Sequence, residues 1–189
     1  VYNGASVVVC SKSCKIKNNS ILIIKTNKIR HLLSDIASKF YKSKPENIIA
    51  GTGTNGKTSV SDMFYQILRI NNIRVASIGT LGIKYNDKII KTSLTSPDTI
   101  TLHKNLNYLK NKKINNAIIE ASSHGLDQKR LHHIKFKGAI FTNFSQDHLD
   151  YHKTMKSYLN AKLILFKKIL SKKSTIISDD GIPTFKILN

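Results

Sequence analysis

Residues 48–59 read Ile-Ile-Ala-Gly-Thr-Gly-Thr-Asn-Gly-Lys-Thr-Ser, an apolar run that meets a glycine-rich turn and opens into helix-forming sequence. From Gly51 to Thr58 the stretch fits G-x-x-x-x-G-K-[ST], a loop whose backbone N–H groups cradle phosphates. Such a loop works only as the link between a buried strand and a helix N-terminus. Glycine there permits unusual backbone angles and close approach, and the free N–H groups of the first helical turn meet an anion. Lys57 is placed to reach the β- and γ-phosphates, and the Thr58 hydroxyl suits Mg²⁺. Gly53, Thr54, Asn55, Gly56, Lys57, Thr58 and Ser59 are therefore candidate nucleotide-binding residues.

The rest of the chain repeats the alternation of strand and helix. Ser6–Cys10 and Ile21–Ile24 predict two short buried strands separated by a polar, lysine-rich turn. Two strands make no core, so residues 1–26 are expected to be the tail of a small α/β domain that starts earlier. Ile29, Leu32, Leu33, Ile36, Ala37 and Phe40 recur at helical spacing, with Asn27 as the expected cap. Residues 58–70 predict a helix that buries Val60, Met63, Phe64, Ile67 and Leu68. A strand at Val75–Ile78 follows, then a hairpin of Ile83–Tyr85 and Lys88–Lys91 joined at Asn86-Asp87. Thr95-Ser96-Pro97-Asp98 has the chemistry of a helix start, and the helix carries Ile100, Leu102, Leu106 and Leu109.

Ala117–Glu120 reads as a strand ending in a carboxylate, followed by a short helix bearing Gln128 and Arg130. A strand at Gly138–Thr142, an amphipathic helix over 155–170 and a strand at Ser174–Ser178 complete the pattern. The fold class expected is α/β, a doubly wound, mostly parallel sheet with its site at the carboxyl ends of the strands. A strand-end acid beside a phosphate loop commonly serves Mg²⁺, and the lesser alternative for Glu120 is an ordinary solvated residue after a strand. His148 alone reads as a structural histidine and Lys162 alone as one more solvated lysine.

Composition narrows the partners. The chain has 189 residues, of which 40% are hydrophobic, and no apolar run reaches the ~18 residues of a membrane span. It begins at Val1 with no signal peptide, and the missing initiator Met predicts that sequence upstream is absent. Cys10 and Cys14 are too few for a disulfide framework or a four-ligand zinc site, so a cytoplasmic protein with Cys10 as a buried thiol is expected. The formal net charge of +20 raises nucleic acid as a partner. Lysines spread along the whole chain, as at 12–17, 39–44, 110–113 and 167–173, read instead as a compositional bias, and no nucleic acid is expected.

Three stretches then resemble one family. Gly53-Thr54-Asn55-Gly56-Lys57-Thr58-Ser59 matches the GTNGKT[ST] loop of the Mur ligases, the ATP-dependent amide-forming enzymes of peptidoglycan synthesis. Residues 120–130, Glu-Ala-Ser-Ser-His-Gly-Leu-Asp-Gln-Lys-Arg, are similar to the E-[VA]-S-S-H-[AG]-L-x-Q-x-R stretch of the MurE type. Residues 142–152 are similar to its TNL-x-x-DHLDYH stretch, Ala161-Lys162 falls at its A-K pair, and Asn3-Gly4-Ala5 looks like the end of its first domain. Gly51 stands where the family has a branched apolar residue, Ser96 replaces a Thr, and Ser178-Asp179-Asp180 stands where Asn-x-Asp-Asp is common.

The resemblance implies a central ATP-binding domain over 27–189, truncated at its end and followed in the family by a ligase domain absent here. It implies two steps: a UDP-muramyl-dipeptide carboxylate attacks ATP to give an acyl phosphate, and an incoming amine displaces phosphate. By resemblance Lys57, Glu120, His148 and Lys162 are catalytic, and Thr58, Glu120, His148 and a carbamylated Lys162 support Mg²⁺. Thr95, Ser96, Ser122, Gln128, Arg130 and Asn143 fall at substrate-holding positions. Meso-diaminopimelate is the amine expected, with lysine the alternative, and the enzyme is expected to be a monomer. A folylpolyglutamate synthetase-like ligase and a nucleic-acid-stimulated ATPase are the rival functions. The piece alone is expected to be inactive.

Overall fold

The computed structural model describes residues 4–17 and 20–178. Asn3 and the Asp179-Asp180 pair, singled out above, lie outside the described residues. Strands β1 (Val7–Cys10) and β2 (Leu22–Lys25) form a two-stranded sheet of their own. They pair in parallel, with Val7 opposite Leu22. The expectation that both are buried fails, because Leu22 is 60% exposed and only Cys10 reaches burial. Helix α1 (Ile29–Phe40) follows, and Asn27 does not cap it: Lys28 is the N-cap residue, without a side-chain cap. The turn before it is held by Thr26, whose Oγ1 accepts from the Lys28 N–H at 3.0 Å.

The main sheet has seven strands: β3 (Asn47–Thr52), β4 (Val75–Gly79), β5 (Gly82–Tyr85), β6 (Lys88–Ile90), β7 (Asn116–Glu120), β8 (Gly138–Phe141) and β9 (Thr175–Ser178). Their order across the sheet is β6-β5-β4-β7-β3-β8-β9. β4, β7, β3, β8 and β9 are mutually parallel, while β5 and β6 form the antiparallel hairpin that the sequence predicts. Asn86 and Asp87 take left-handed angles at that turn, as a tight hairpin of right-twisted strands requires. β3, between β7 and β8, carries the phosphate loop at the middle of the five parallel strands, with the ends of both neighbours beside it.

Helices α2 (Lys57–Ile70) and α3 (Thr99–Asn111) follow β3 and the hairpin. α3 begins as its sequence predicts: Asp98 is the N-cap, accepting from the N–H groups of Ile100 and Thr101 at 3.0 Å each. Leu102, Leu106 and Leu109 are fully buried, but Ile100 is exposed and His103 fills the core face instead. α2 differs more. Met63 and Ile67 are 62% and 58% exposed, and Ser61 and Tyr65 are buried in their place. Ser61 Oγ would lie 3.6 Å from a Cβ at Gly51, so the helix passes close to β3 on a small residue.

α4 (Ser123–Asp127) ends before Gln128, its C-cap, so Gln128 and Arg130 stand beyond the helix and not on it. A short α5 (Leu149–His152), unforeseen in the sequence, precedes α6 (Met155–Ile164). The predicted helix over 155–170 is not uniform: Leu165–Ile169 form a π-helical turn. The core gathers Ile48, Ile78, Leu102, Leu106, Ile119 and Leu165 between the sheet and these helices.

Candidate functional site

The loop between β3 and α2 is shaped by its neighbours. Gly53 has φ +146°, and a Cβ there would run into the Thr142 hydroxyl. Gly56, at φ +79°, is the N-cap of α2; no side chain caps that helix and no acid stands in its first turn. Its leading N–H groups are thus left to an external anion. From the β8 side, Asn143 O accepts from Thr54 N at 3.0 Å and Asn143 Oδ1 from Asn55 N at 2.9 Å. Thr142 Oγ1 donates to Asn55 O at 2.5 Å. Lys57 is folded over the loop, donating to Gly53 O at 3.0 Å and Thr54 O at 2.7 Å. Burial lowers its pKa, while the carboxylates of Glu120 and Asp147 oppose the shift.

Glu120, at the end of β7, is 1% exposed and fully engaged. Oε2 accepts from Thr58 Oγ1 at 2.9 Å and Thr80 Oγ1 at 3.1 Å, and Oε1 from Thr80 N at 3.0 Å. Gly79 leaves room for this carboxyl, since a Cβ there would overlap it. Lys162 enters from α6, also 1% exposed, and donates to the same Gly53 carbonyl at 2.6 Å. Burial first, and then the Lys57 cation, push its pKa down to about 7. Its Nζ lies 4.4 Å from the ring centre of Tyr158, whose hydroxyl donates to Thr54 Oγ1 at 3.3 Å.

The opposite wall is built from the turn before α3 and the segment after β7. Ser96 Oγ donates to Glu120 O at 2.7 Å and accepts from Ser122 N at 3.0 Å. It also meets Ser122 Oγ at 2.9 Å, so these two hydroxyls brace the wall. Arg130 is aimed by its partners: Nη1 donates to Ser96 O at 2.8 Å, and Nη2 and Nε donate to Gln128 Oε1 at 2.6 and 3.1 Å. His124, His148 and His152 cluster beside it with ring centres 5.0 and 5.5 Å from His124. Burial, then the His148 charge, lowers the pKa of His124.

One cavity of about 400 Å³ joins these walls. Thr54, Asn55, Gly56, Lys57, Thr58, Ser59, Thr95, Ser96, Ser122, Arg130, His148 and Lys162 line it. Gly53, Gln128 and Asn143 stand behind the lining and shape it through the bonds above. Glu120 reaches the cleft through Thr58. Sequence reasoning missed Thr80 and Leu94 as lining residues, and Tyr158 behind Lys162. Thr80 directly follows the end of β4, so the strand-end rule that picked out Glu120 could have found it. The pairing of Thr58 Oγ1 with Glu120 Oε2 is a hard oxygen pair that suits Mg²⁺. Among the described residues no three His, Cys, Asp or Glu side chains could hold a metal ion alone.

A family model, the Mur ligase middle domain, matches residues 52–187. The UDP-N-acetylmuramoyl-L-alanyl-D-glutamate–2,6-diaminopimelate ligase of Brucella melitensis is 38% identical over 179 residues, which are 94% of this chain and 37% of that protein. The ligase of the same description from Rhizobium meliloti is 43% identical over 153 residues, 80% of this chain and 32% of its own length. The chain thus spans about a third of the length of the curated relatives it matches. A solved structure of a UDP-N-acetylmuramoyl-L-alanyl-D-glutamate–2,6-diaminopimelate ligase superimposes with a TM-score of 0.83 at 29% identity, covering 99% of this chain and 37% of that one. The MurF ligase from Thermotoga maritima in complex with ADP shares the fold, at a TM-score of 0.62 and 16% identity over 98% of this chain and 39% of that one.

Proposed function

Because the chain belongs to the Mur ligase family, we propose that it is the ATP-binding part of a ligase that adds meso-diaminopimelate to UDP-N-acetylmuramoyl-L-alanyl-D-glutamate. The observation that carries this reading is the single cleft in which the Lys57–Thr58 cradle faces the Thr95–Arg130 wall across Glu120. In this reading residues 27–189 are the central ATP-binding domain and residues 1–26 the tail of the one before it, a division supported by β1 and β2 forming a sheet of their own.

In the first step the substrate carboxylate oxygen forms a bond to the γ-phosphorus, and the bond to the β,γ-bridging oxygen breaks to release ADP. In the second, an amine displaces phosphate from the acyl phosphate and loses a proton. This chemistry asks the protein for positioning and charge neutralisation. Lys57 exchanges the Gly53 and Thr54 carbonyls for phosphate oxygens, joined by the N–H groups of α2. Thr58 and Glu120 would hold one Mg²⁺ and His148 a second, and such ions would offset charge on the phosphoryl oxygens. Arg130, held by Gln128 and the Ser96 carbonyl, offers its planar fork to a substrate carboxylate or phosphate. Lys162 reaches its neutral form near pH 7, so its amine is able to attack CO₂, forming an N–C bond and releasing a proton to give an anionic carbamate.

No helix among the described residues is long and apolar enough to cross a membrane; a cytoplasmic monomer is part of the same reading. The test is ADP release from Mg-ATP by the protein in its complete reading frame. Release is expected to need both UDP-muramyl-dipeptide and diaminopimelate, and to fall at least about 100-fold in Lys57→Ala and Lys162→Ala. Turnover with lysine in place of diaminopimelate would keep the ligase and change its amine. Release indifferent to the muramyl substrate but stimulated by DNA or RNA would overturn the reading.

A further inference from the structure

Thr80 belongs to none of the motifs, yet it touches both halves of the cleft. Its backbone N–H donates to Glu120 Oε1 at 3.0 Å and its hydroxyl to Glu120 Oε2 at 3.1 Å. The same oxygen lies 3.1 Å from Thr95 Oγ1. A threonine hydroxyl has one proton. With that proton on Glu120, the Thr95 contact has one direction: Thr95 donates and Thr80 accepts. The hydroxyl protons therefore run inward, from Thr95 to Thr80 to the carboxylate, and Thr95 keeps its lone pairs for the cavity.

We propose that Thr80 is a positioning residue: it fixes the Glu120 carboxylate for a divalent cation on the nucleotide side and ties it to Thr95 on the acceptor side. The inference rests on the nucleotide–metal reading of the cleft given above. Three features set Thr80 apart from a residue that merely fills space. It stands in the tight link between β4 and β5, whose ends at Gly79 and Gly82 are paired to one another, so its oxygen has a fixed place. Gly79 cannot carry a side chain without displacing Glu120, which leaves Thr80, the first residue past the end of β4, to hold it. And Thr80 is exposed to the cleft, so no core contact explains the hydroxyl. The arrangement also gives Thr95 a polarity: it meets an acceptor substrate as a hydrogen-bond acceptor, suited to an amide N–H or a hydroxyl.

Thr80→Val keeps the backbone bond and the side-chain shape while deleting the hydroxyl, and Thr80→Ser restores it. The measurement is equilibrium binding of AMPPCP against Mg²⁺ concentration, in the protein in its complete reading frame. Partners that orient a metal ligand commonly change metal affinity by 10–100-fold. The Mg²⁺ midpoint is expected to rise by about that factor in Thr80→Val and to stay within about twofold of the parent in Thr80→Ser. Thr80→Ala repeats the measurement without the branched methyls. A Thr80→Val midpoint equal to the parent's, or a Thr80→Ser defect as large as the Val one, would overturn the proposal. Binding of UDP-muramyl-dipeptide, measured separately with and without Mg-AMPPCP, keeps the two readings apart. A parent protein with the expected midpoints but no muramyl-dipeptide binding would sink the ligase assignment and leave Thr80 in its role.

Discussion

The Gly53 carbonyl accepts from two ammonium groups, Lys57 at 3.0 Å and Lys162 at 2.6 Å. Burial of two like charges around one oxygen is why Lys162 titrates near pH 7. The sign follows from the two pKa values. Below about 7 the lysine is charged whether folded or not, and its burial is unfavourable. Between about 7 and 10.5 the unfolded chain holds the proton and the folded one does not, so stability rises with pH across that window. In CO₂-free buffer, Lys162→Met is expected to flatten the rise in melting temperature between pH 7 and 10; a slope unchanged by the substitution would contradict this. The low pKa is not legible in the sequence, where only the Ala161-Lys162 resemblance sets Lys162 apart from Lys156, Lys167 and Lys168. Helical phase alone does not say which of them points inward. Glu120 and the loop residues were legible, because a strand end and a glycine pattern fix direction as well as identity.

Helix starts were readable where the chemistry is local. Asp98 binds two N–H groups of its own helix, so nothing distant is needed to foresee α3. Asp98→Ala is expected to lower unfolding stability by about 1 kcal/mol in urea titrations, with Asp98→Asn nearly neutral. A neutral Ala variant would show that the cap contributes nothing. The buried face of α2 was not readable, because what it packs on is distant in sequence. Its passage close to Gly51 demands a small residue, and Ser61 takes the place that hydrophobic periodicity gives to larger neighbours. The π-turn at Leu165–Ile169 escaped for a similar reason: apolar spacing suits one continuous helix until the core fixes Leu165.

Across the whole molecule, 31 basic residues face 11 acidic ones. The ion pairs among the described residues, such as Lys39–Asp35, Arg69–Asp87 and Lys110–Glu46, leave most of that excess unpaired. Self-repulsion therefore destabilises the compact state, and salt screens it over a Debye length of ~10 Å at 0.1 M. The melting temperature is expected to climb by a few degrees between about 0.02 and 0.3 M NaCl; a fall would mean that the local pairs outweigh the global field. The place of β3 between β7 and β8 also sets the order in which the site can form during synthesis. The loop after it takes its shape from Ala121, which donates to Gly51 O, and from Thr142 and Asn143, some 70 to 90 positions later in the chain. A nascent chain that has just emerged through Ser59 already carries the whole glycine-rich signature but none of the bonds that bend it. The phosphate cradle can exist only after β7 and β8 have been synthesised and have docked on either side of β3. Nucleotide, however abundant, then selects a finished fold and cannot help to nucleate it.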